Sequence, residues 1–341
     1  MTPFRGAIVG FGQVAEHGHW PAFASSDSFE IVAVVERSAA RRAAATRLNP
    51  GVRAVASLDE IADAEIDFVD ICTPPALHAA PMLAALERGW HVICEKPFLL
   101  ESADFDAVRQ AASRAGRAVV PVHNWKYAPI VQRATALVGE GAIGRLRRVS
   151  IETLRQRDCA VSDPEHPNWR RDAAIAGGGI VMDHGWHGVY LALHWYGQPP
   201  ASVSATLHRP AAGGVEDEAR VSLHFPTGDA DIVLSWNADV RRNLMVLAGD
   251  EGELEIADGV LRIRGTDGEK TLAVAPPLSA GSYHADWFAL MLPDFSRAFA
   301  DPGASRGQLD EAGMCLSVIQ RAYEAASAAN LPRIASSIGL A

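Results

Sequence analysis

"AIVGFGQVAEHGHWPAF", residues 7–23, decides the fold. A short apolar run leads into Gly10-Phe11-Gly12 and then into a stretch of helical spacing. Gly10 to Ala15 read G-x-G-x-x-A. Gly10 permits a tight turn, Gly12 lets backbone approach a pyrophosphate, and Ala15 is small enough for helix to pack on sheet. The first N–H groups of the helix would then face the phosphates. Alone, the motif is equally a strand turning sharply into a helix, so its reading rests on the surrounding chain.

Strand-like and helix-like segments alternate around it. Residues 5–10, 31–35, 68–72, 91–94 and 118–122 are continuous apolar runs of the kind buried on both faces of a parallel sheet. Between them lie helical segments: one capped by Ser38 and stopped by Asn49-Pro50-Gly51, one over 76–88 ending at Gly89, and one over 102–115 stopped by Gly116. Strand–helix alternation with right-handed crossovers implies an α/β fold, a Rossmann-type doubly wound parallel sheet. In that setting the opening motif reads as a dinucleotide site made by Gly10, Phe11, Gly12, Gln13 and Val14. The second strand ends in Glu36, placed to accept hydrogen bonds from a ribose diol and to repel a 2′-phosphate, which favours NAD. Arg37 beside it keeps NADP open.

From Leu146 onward the period changes to two. Val203/Ala205/Leu207, Val221/Leu223/Phe225 and Ile232/Leu234/Trp236 alternate with more polar residues, and 253–263 reads as a hairpin turning at Asp258-Gly259. Helical patterns return over 283–300 and 307–328. The expected architecture is a dinucleotide-binding domain over 1–122 and an α+β domain over 123–341 with a large, open antiparallel sheet. The 341 residues and 48% apolar content suit two such domains. A net charge of −10 argues against nucleic acid and anionic membranes as partners. Cys72 and Cys94 end apolar runs, Cys159 and Cys315 stand apart, and no C-x-x-C occurs. Buried thiols and no leader-like start point to the cytoplasm. No apolar run is long enough to span a bilayer.

Three stretches carry chemistry: Thr73-Pro74-Pro75-Ala76-Leu77-His78 past the run 68–72, Glu95-Lys96-Pro97 past the run 91–94, and 169–187, "WRRDAAIAGGGIVMDHGWH". The first two sit at carboxyl ends of parallel strands, where open α/β sheets bind ligands. With the G-x-G-x-x-A start, Asn124 to Pro129, Trp169-Arg170, Gly177-Gly178-Gly179 and Asp183-His184-Gly185-Trp186-His187, the chain resembles the Gfo/Idh/MocA dehydrogenases along essentially its whole length. The resemblance implies an NAD(P)-dependent oxidoreductase acting on a CH–OH group of a sugar, cyclitol or related polyol. It also implies a homodimer or homotetramer formed through the C-terminal sheet, whose open face carries apolar residues such as Val233. Thr73 and Pro74 would line the nicotinamide side. Glu95 and Lys96 would reach the cofactor end, and His78 is either a cofactor contact or a structural helix-start residue. Asn124, Lys126, Trp169 and Arg170 would face substrate with Lys96, Asp183 and His187.

Oxidising an alcohol requires its hydroxyl to lose a proton. Asp183 and His187, spaced i, i+4, share a helix face; His187 suits the proton acceptor, and Asp183 would bind substrate or set the ring's protonation. Lys96 offers a cation to the substrate oxygen and could itself exchange the proton. The Lys96–Pro97 peptide bond is expected to be cis. Tyr190 stands where the family often has an acid, and Lys126 where many members have Arg. His184, His187 and His194 with Asp183 resemble a metal set, but His184 lies on another face from Asp183 and the family's chemistry needs no metal. Two further readings are an NAD-retaining enzyme that cleaves or eliminates glycosides, and a non-catalytic NAD-binding regulator. The retained Lys96, Asp183 and His187 speak against the regulator.

Overall fold

A computed structural model describes residues 2–62, 64–158, 168–210, 214–266 and 268–326. The chain folds into two compact units. Of the described residues, the first takes those within 2–127, 168–169 and 281–316; the second takes those within 128–158, 170–280 and 317–326.

In the first unit β1 (Phe4–Val9), β2 (Phe29–Val35), β3 (Arg53–Val55), β4 (Phe68–Ile71), β5 (His91–Cys94) and β6 (Val119–Pro121) form one sheet. Every pair is parallel and the order is β3-β2-β1-β4-β5-β6. The chain reverses direction across the sheet between β1 and β4, which puts the ligand crevice of such folds at their carboxyl ends. The apolar runs of the sequence are these strands. Only β3 escapes that reading, since three residues at a sheet edge, one of them exposed, carry no periodic signal.

The sequence boundary near residue 122 assigns 281–316 to the second domain, whereas the structure packs it in the first unit. The helix Ala285–Ala300 buries Phe288, Phe295 and Phe299 in the core of the parallel sheet. Phe299 meets Phe4 at 5.3 Å and Phe68 at 5.5 Å between ring centroids, and Phe288 meets Phe23 at 5.3 Å. Helical periodicity shows that a face is buried, not which sheet buries it.

In the second unit β7 (Leu146–Leu154), β8 (Ser202–His208), β9 (Glu218–Phe225), β10 (Gly228–Ser235), β11 (Arg242–Gly249), β12 (Gly252–Ala257), β13 (Val260–Gly265) and β14 (Gly268–Ala273) pair in the order β14-β13-β12-β11-β7-β10-β9-β8. All pairs are antiparallel except β7 with β10. The hairpin at Asp258-Gly259 joins β12 to β13, with Asp258 at φ 56°. The helix Trp186–Tyr196 packs on β7 and β10, against the face that carries Ile232 and Leu234.

The opposite face carries Val233. That residue is buried, paired across the sheet with Arg220 and Glu152, so it offers no apolar patch. The face is instead laced with ion pairs: Arg148 to Asp231 at 2.8 Å, Arg264 to Glu253 at 2.9 Å, and Arg262 to Glu255. Among the described residues no helix is long and apolar enough to cross a membrane.

Candidate active site

The loops after β1, β4 and β5 converge in the first unit. Gly10 holds φ 87°, and a Cβ there would stand 2.8 Å from Thr73 Cγ2, so the first turn and the T-P-P loop lie in contact. Glu36 ties in the end of β2. Its Oε2 accepts the Phe11 N–H at 2.7 Å and its Oε1 the Ser38 N–H at 2.8 Å. Arg37 is exposed, its carbonyl receiving Arg42 Nη1 at 2.7 Å. Gln13 and Val14 are half-buried. A Cβ on Gly12 would meet only the flexible tip of Arg41, at 3.3 Å. Among the described residues no group demands that glycine, and the space it leaves over the loop fits a dinucleotide's phosphates.

His78 binds these loops together. It is fully buried, Nε2 lies 2.7 Å from Thr73 O and Nδ1 3.0 Å from Phe98 O, and burial lowers its pKa. Each ring nitrogen thus faces a backbone carbonyl, one in the T-P-P loop and one just past the E-K-P turn, and the neutral ring donates its one N–H to either. Thr73 and Pro74 are half-buried, with Thr73 Oγ1 donating to Leu77 O at 3.2 Å. The Lys96–Pro97 bond is cis, as the sequence predicts. Lys96 is half-buried, and its own N–H donates to Glu95 Oε2 at 2.9 Å.

Asn124 and Lys126 lie in the helical turn Asn124–Tyr127 that follows β6. Lys126 Nζ is 2.6 Å from Glu311 Oε1, which His123 Nδ1 also approaches at 2.7 Å. Burial pushes the Glu311 carboxyl up, but the His123 hydrogen bond and the Lys126 charge outweigh it and hold its pKa at about 2. Any substrate oxygen at Lys126 would share the ammonium with this carboxylate. Nothing in local spacing marks Glu311, which stands 185 residues away.

In the second unit Arg170 belongs to the turn Trp169–Arg171, and Trp169 itself is half-buried. The D-H-G-W-H motif begins in a widened helical turn, Val181–Gly185, that runs into the helix Trp186–Tyr196. Such i→i+5 turns recur at functional sites. Asp183 Oδ2 lies 3.8 Å from Arg170 Nε and 3.1 Å from His184 Nδ1, so the two neighbours meet within the widened turn and not on separate faces as helical spacing implies. His187 is buried, with Nδ1 2.8 Å from Tyr190 Oη. Tyr190 thus orients the histidine through a hydroxyl, without a negative charge.

The glycine triplet serves packing. A Cβ on Gly178 would stand 1.9 Å from Tyr323 Oη, and one on Gly179 1.9 Å from Glu216 O. Glu216 Oε1 accepts the N–H groups of Gly179 at 2.9 Å and Val181 at 3.0 Å, and the Tyr323 hydroxyl at 2.7 Å. This buried carboxylate anchors the start of the motif helix. The close approach of backbone at these glycines is thus to partners inside the protein.

The chain belongs to the Gfo/Idh/MocA family. Residues 4–123 match the model described as oxidoreductase family, NAD-binding Rossmann fold, and residues 131–255 match that of the GFO/IDH/MocA C-terminal domain. It is similar to D-apiose dehydrogenase of Paraburkholderia graminis, 30% identical over 80% of this chain and 73% of the relative. It is also similar to 1,5-anhydro-D-fructose reductase of Ensifer adhaerens, 28% identical over 72% of this chain and 76% of the relative. Among solved structures, the aldose-aldose oxidoreductase of Caulobacter crescentus, complexed with glycerol, superposes with a TM-score of 0.80 at 26% identity, covering 96% of this chain and 98% of that one. The protein is an NAD(P)-dependent oxidoreductase with a nicotinamide-dinucleotide-binding Rossmann domain.

Proposed function

We propose that the enzyme oxidises a hydroxyl of a sugar, sugar derivative or cyclitol, or reduces the corresponding ketone. The observation that carries this is the assembly of Lys96, Glu95 and Thr73 with the Gly10–Gly12 turn at the carboxyl ends of β1, β4 and β5. When bound there, the nicotinamide supplies the hydride acceptor or donor. Gly10, Phe11, Gly12, Gln13 and Val14 cradle the dinucleotide phosphates, with the Arg41 guanidinium near Gly12. Glu36 and Arg37 receive the adenosine ribose. Thr73 and Pro74 line the nicotinamide side, and Glu95 and Lys96 its reacting end; His78 serves the cofactor by bracing both loops.

In oxidation the substrate C–H leaves as hydride and the O–H proton passes to a base, leaving a carbonyl. Lys96, Asp183 and His187 act on that hydroxyl. Lys96 supplies the cation at the oxygen and His187 takes the proton. To do so through Nε2, the imidazole must donate Nδ1–H to Tyr190 Oη. Asp183, steadied by Arg170 and His184, hydrogen-bonds substrate, with Asn124, Lys126 and Trp169 as further contacts. The relatives' names, which are of apiose and anhydrofructose enzymes, support a carbohydrate. A panel of sugars, sugar phosphates and inositols with NAD and NADP, followed at the nicotinamide absorbance, tests the reading. Turnover without net absorbance change would instead identify an NAD-retaining lyase or glycosidase.

Glu36→Ala should weaken NAD more than NADP, because the carboxylate bonds the diol of one and repels the phosphate of the other. Both oxygens also hold backbone N–H groups of the loop, so some loss for both cofactors is expected. A wild type that prefers NADP would show that Arg37 dominates and would reverse the reading.

The buried thiols of Cys72, Cys94 and Cys315 support a cytoplasmic location. Self-association through the ion-paired face of the eight-stranded sheet, as a homodimer or homotetramer, completes the proposal. Light scattering at micromolar concentration checks it, a monomer counting against it.

A further inference from the structure

His19 belongs to the opening stretch of sequence, yet nothing in the G-x-G-x-x-A motif explains it. The structure places it at the centre of a buried ionic chain. Its Nδ1 lies 2.7 Å from Asp70 Oδ2 and its Nε2 3.0 Å from Glu95 Oε1. The other oxygen of Glu95 accepts the Lys96 N–H at 2.9 Å. Asp70, His19 and Glu95 are all buried, and Phe288 stacks on the imidazole at 3.8 Å between centroids.

An ionised carboxylate can only accept, so a ring with a carboxylate on each nitrogen must donate from both. That makes His19 an imidazolium between two anions. Burial would lower its pKa, but the charge and hydrogen bond of Asp70 outweigh it and raise it well above the usual value. Burial would likewise raise Glu95, and His19 and Lys96 hold it down instead. The charges then alternate along the chain from Asp70 through His19 and Glu95 to Lys96.

Stability does not account for this arrangement. Buried ion networks seldom improve on apolar packing, and here Asp70 Oδ1 is buried with no hydrogen-bond partner among the described residues. We propose that His19 is a positioning residue of the reaction: clamped between Asp70 and Glu95, it fixes the E-K-P turn and offsets the Glu95 charge beside Lys96. The inference rests on the reading of Lys96 as a group that acts on the substrate hydroxyl.

Few other described groups surround His19. Cys72 Sγ lies 3.3 Å from Nδ1 and 3.6 Å from Asp70 Oδ2, and burial with the Asp70 charge raises its pKa and keeps it a thiol. Cys94, at the end of β5, is likewise raised by burial. Glu95 also acts on His78 and His123. Among the described residues, the helix Ala285–Ala300 presents the uncharged ring of Phe288. His19, Asp70 and Cys72 have the atom types of a metal site. Their 2.7 Å N–O spacing is that of a charge-assisted hydrogen bond, shorter than two ligands of one zinc ion allow, since tetrahedral geometry at about 2 Å sets them roughly 3.3 Å apart.

The test is to measure the Lys96 amine directly, by pH-dependent trace acylation of the NAD-free enzyme read by mass spectrometry. In His19→Gln the chain loses its inner cation, Glu95 acts on Lys96 uncompensated, and the apparent pKa of Lys96 should rise by about one unit. The high-pH limb of turnover, where the Lys96 cation is lost, should move the same way, with the maximal rate down about tenfold or more as the turn loosens. Asp70→Asn keeps the volume and removes the charge that holds the ring protonated. It should shift Lys96 in the same direction by a smaller amount, and it keeps the test open if His19→Gln folds poorly. An unmoved Lys96 pKa in a folded variant would overturn the inference, as would a stoichiometric metal ion in the purified protein. The labelling reports the amine whatever its role. A shift of its pKa with Lys96→Ala still fully active would therefore fault the reading of Lys96 and leave the ionic chain standing.

Discussion

Lys96→Ala should lower turnover by about two to four orders of magnitude, the range for loss of an acid/base group at the reacting atom. Lys96 stands directly after β5, at the carboxyl end of the parallel sheet, with its N–H held by Glu95 at 2.9 Å. The turn keeps its backbone anchors in the variant, since His78 still spans Thr73 O and Phe98 O. The variant removes the ammonium. Lys96→Arg separates its two duties: it restores a cation whose proton is not exchangeable near neutrality. If the variant recovers most of the rate, charge at the substrate oxygen is the contribution. If it stays near the alanine level, the proton passes through Lys96. Steady-state kinetics with a responding polyol decide this, and full activity in the alanine variant would remove Lys96 from the mechanism.

His187→Ala should fall by a similar factor while cofactor affinity, read by quenching of protein fluorescence, stays nearly unchanged. Its ring is buried and oriented through Nδ1 by Tyr190 at 2.8 Å. In the oxidation direction the wild-type rate should rise with pH as the imidazole loses its proton, and the variant should lose that limb. Tyr190→Glu would place a carboxylate on the same nitrogen, stabilise the imidazolium and move the limb to higher pH. A normal rate for His187→Ala beside an inactive Lys96→Ala would exchange the two roles. Normal rates for both would end the assignment of this site.

The parallel sheet was legible because its strands are buried on both faces and read as unbroken apolar runs. The G-x-G-x-x-A turn was legible because Gly10 needs a positive φ that few residues tolerate. The second sheet was legible where one face is apolar and its alternation is strict, as in β9. β11 and β14 were not: β11 alternates in burial, but its half-buried Leu244, Val246 and Ala248 are apolar as well, and β14 is exposed throughout. Catalytic candidates were found by motif, but the groups that hold them were not. Glu216, Glu311 and Tyr323 act across long separations, which spacing cannot encode. Asp70 did leave a trace, as an acid inside the fully buried strand Phe68–Ile71, where a lone charge demands a partner. The partner, His19, lies 51 residues earlier on a helix, and only the fold joins them.

Both motif helices contain one widened turn, at Ala15–His19 and at Val181–Gly185. Such a turn is in effect a single-residue insertion within a helix. Deleting one residue there would restore regular winding and rotate everything downstream by about 100°. His19 would swing away from Asp70 and Glu95, and His187 would lose its present orientation, while the helices themselves would survive. The length of these two segments therefore matters to the site as much as their chemistry. A chain one residue shorter in either would carry the same motifs with its site residues turned elsewhere.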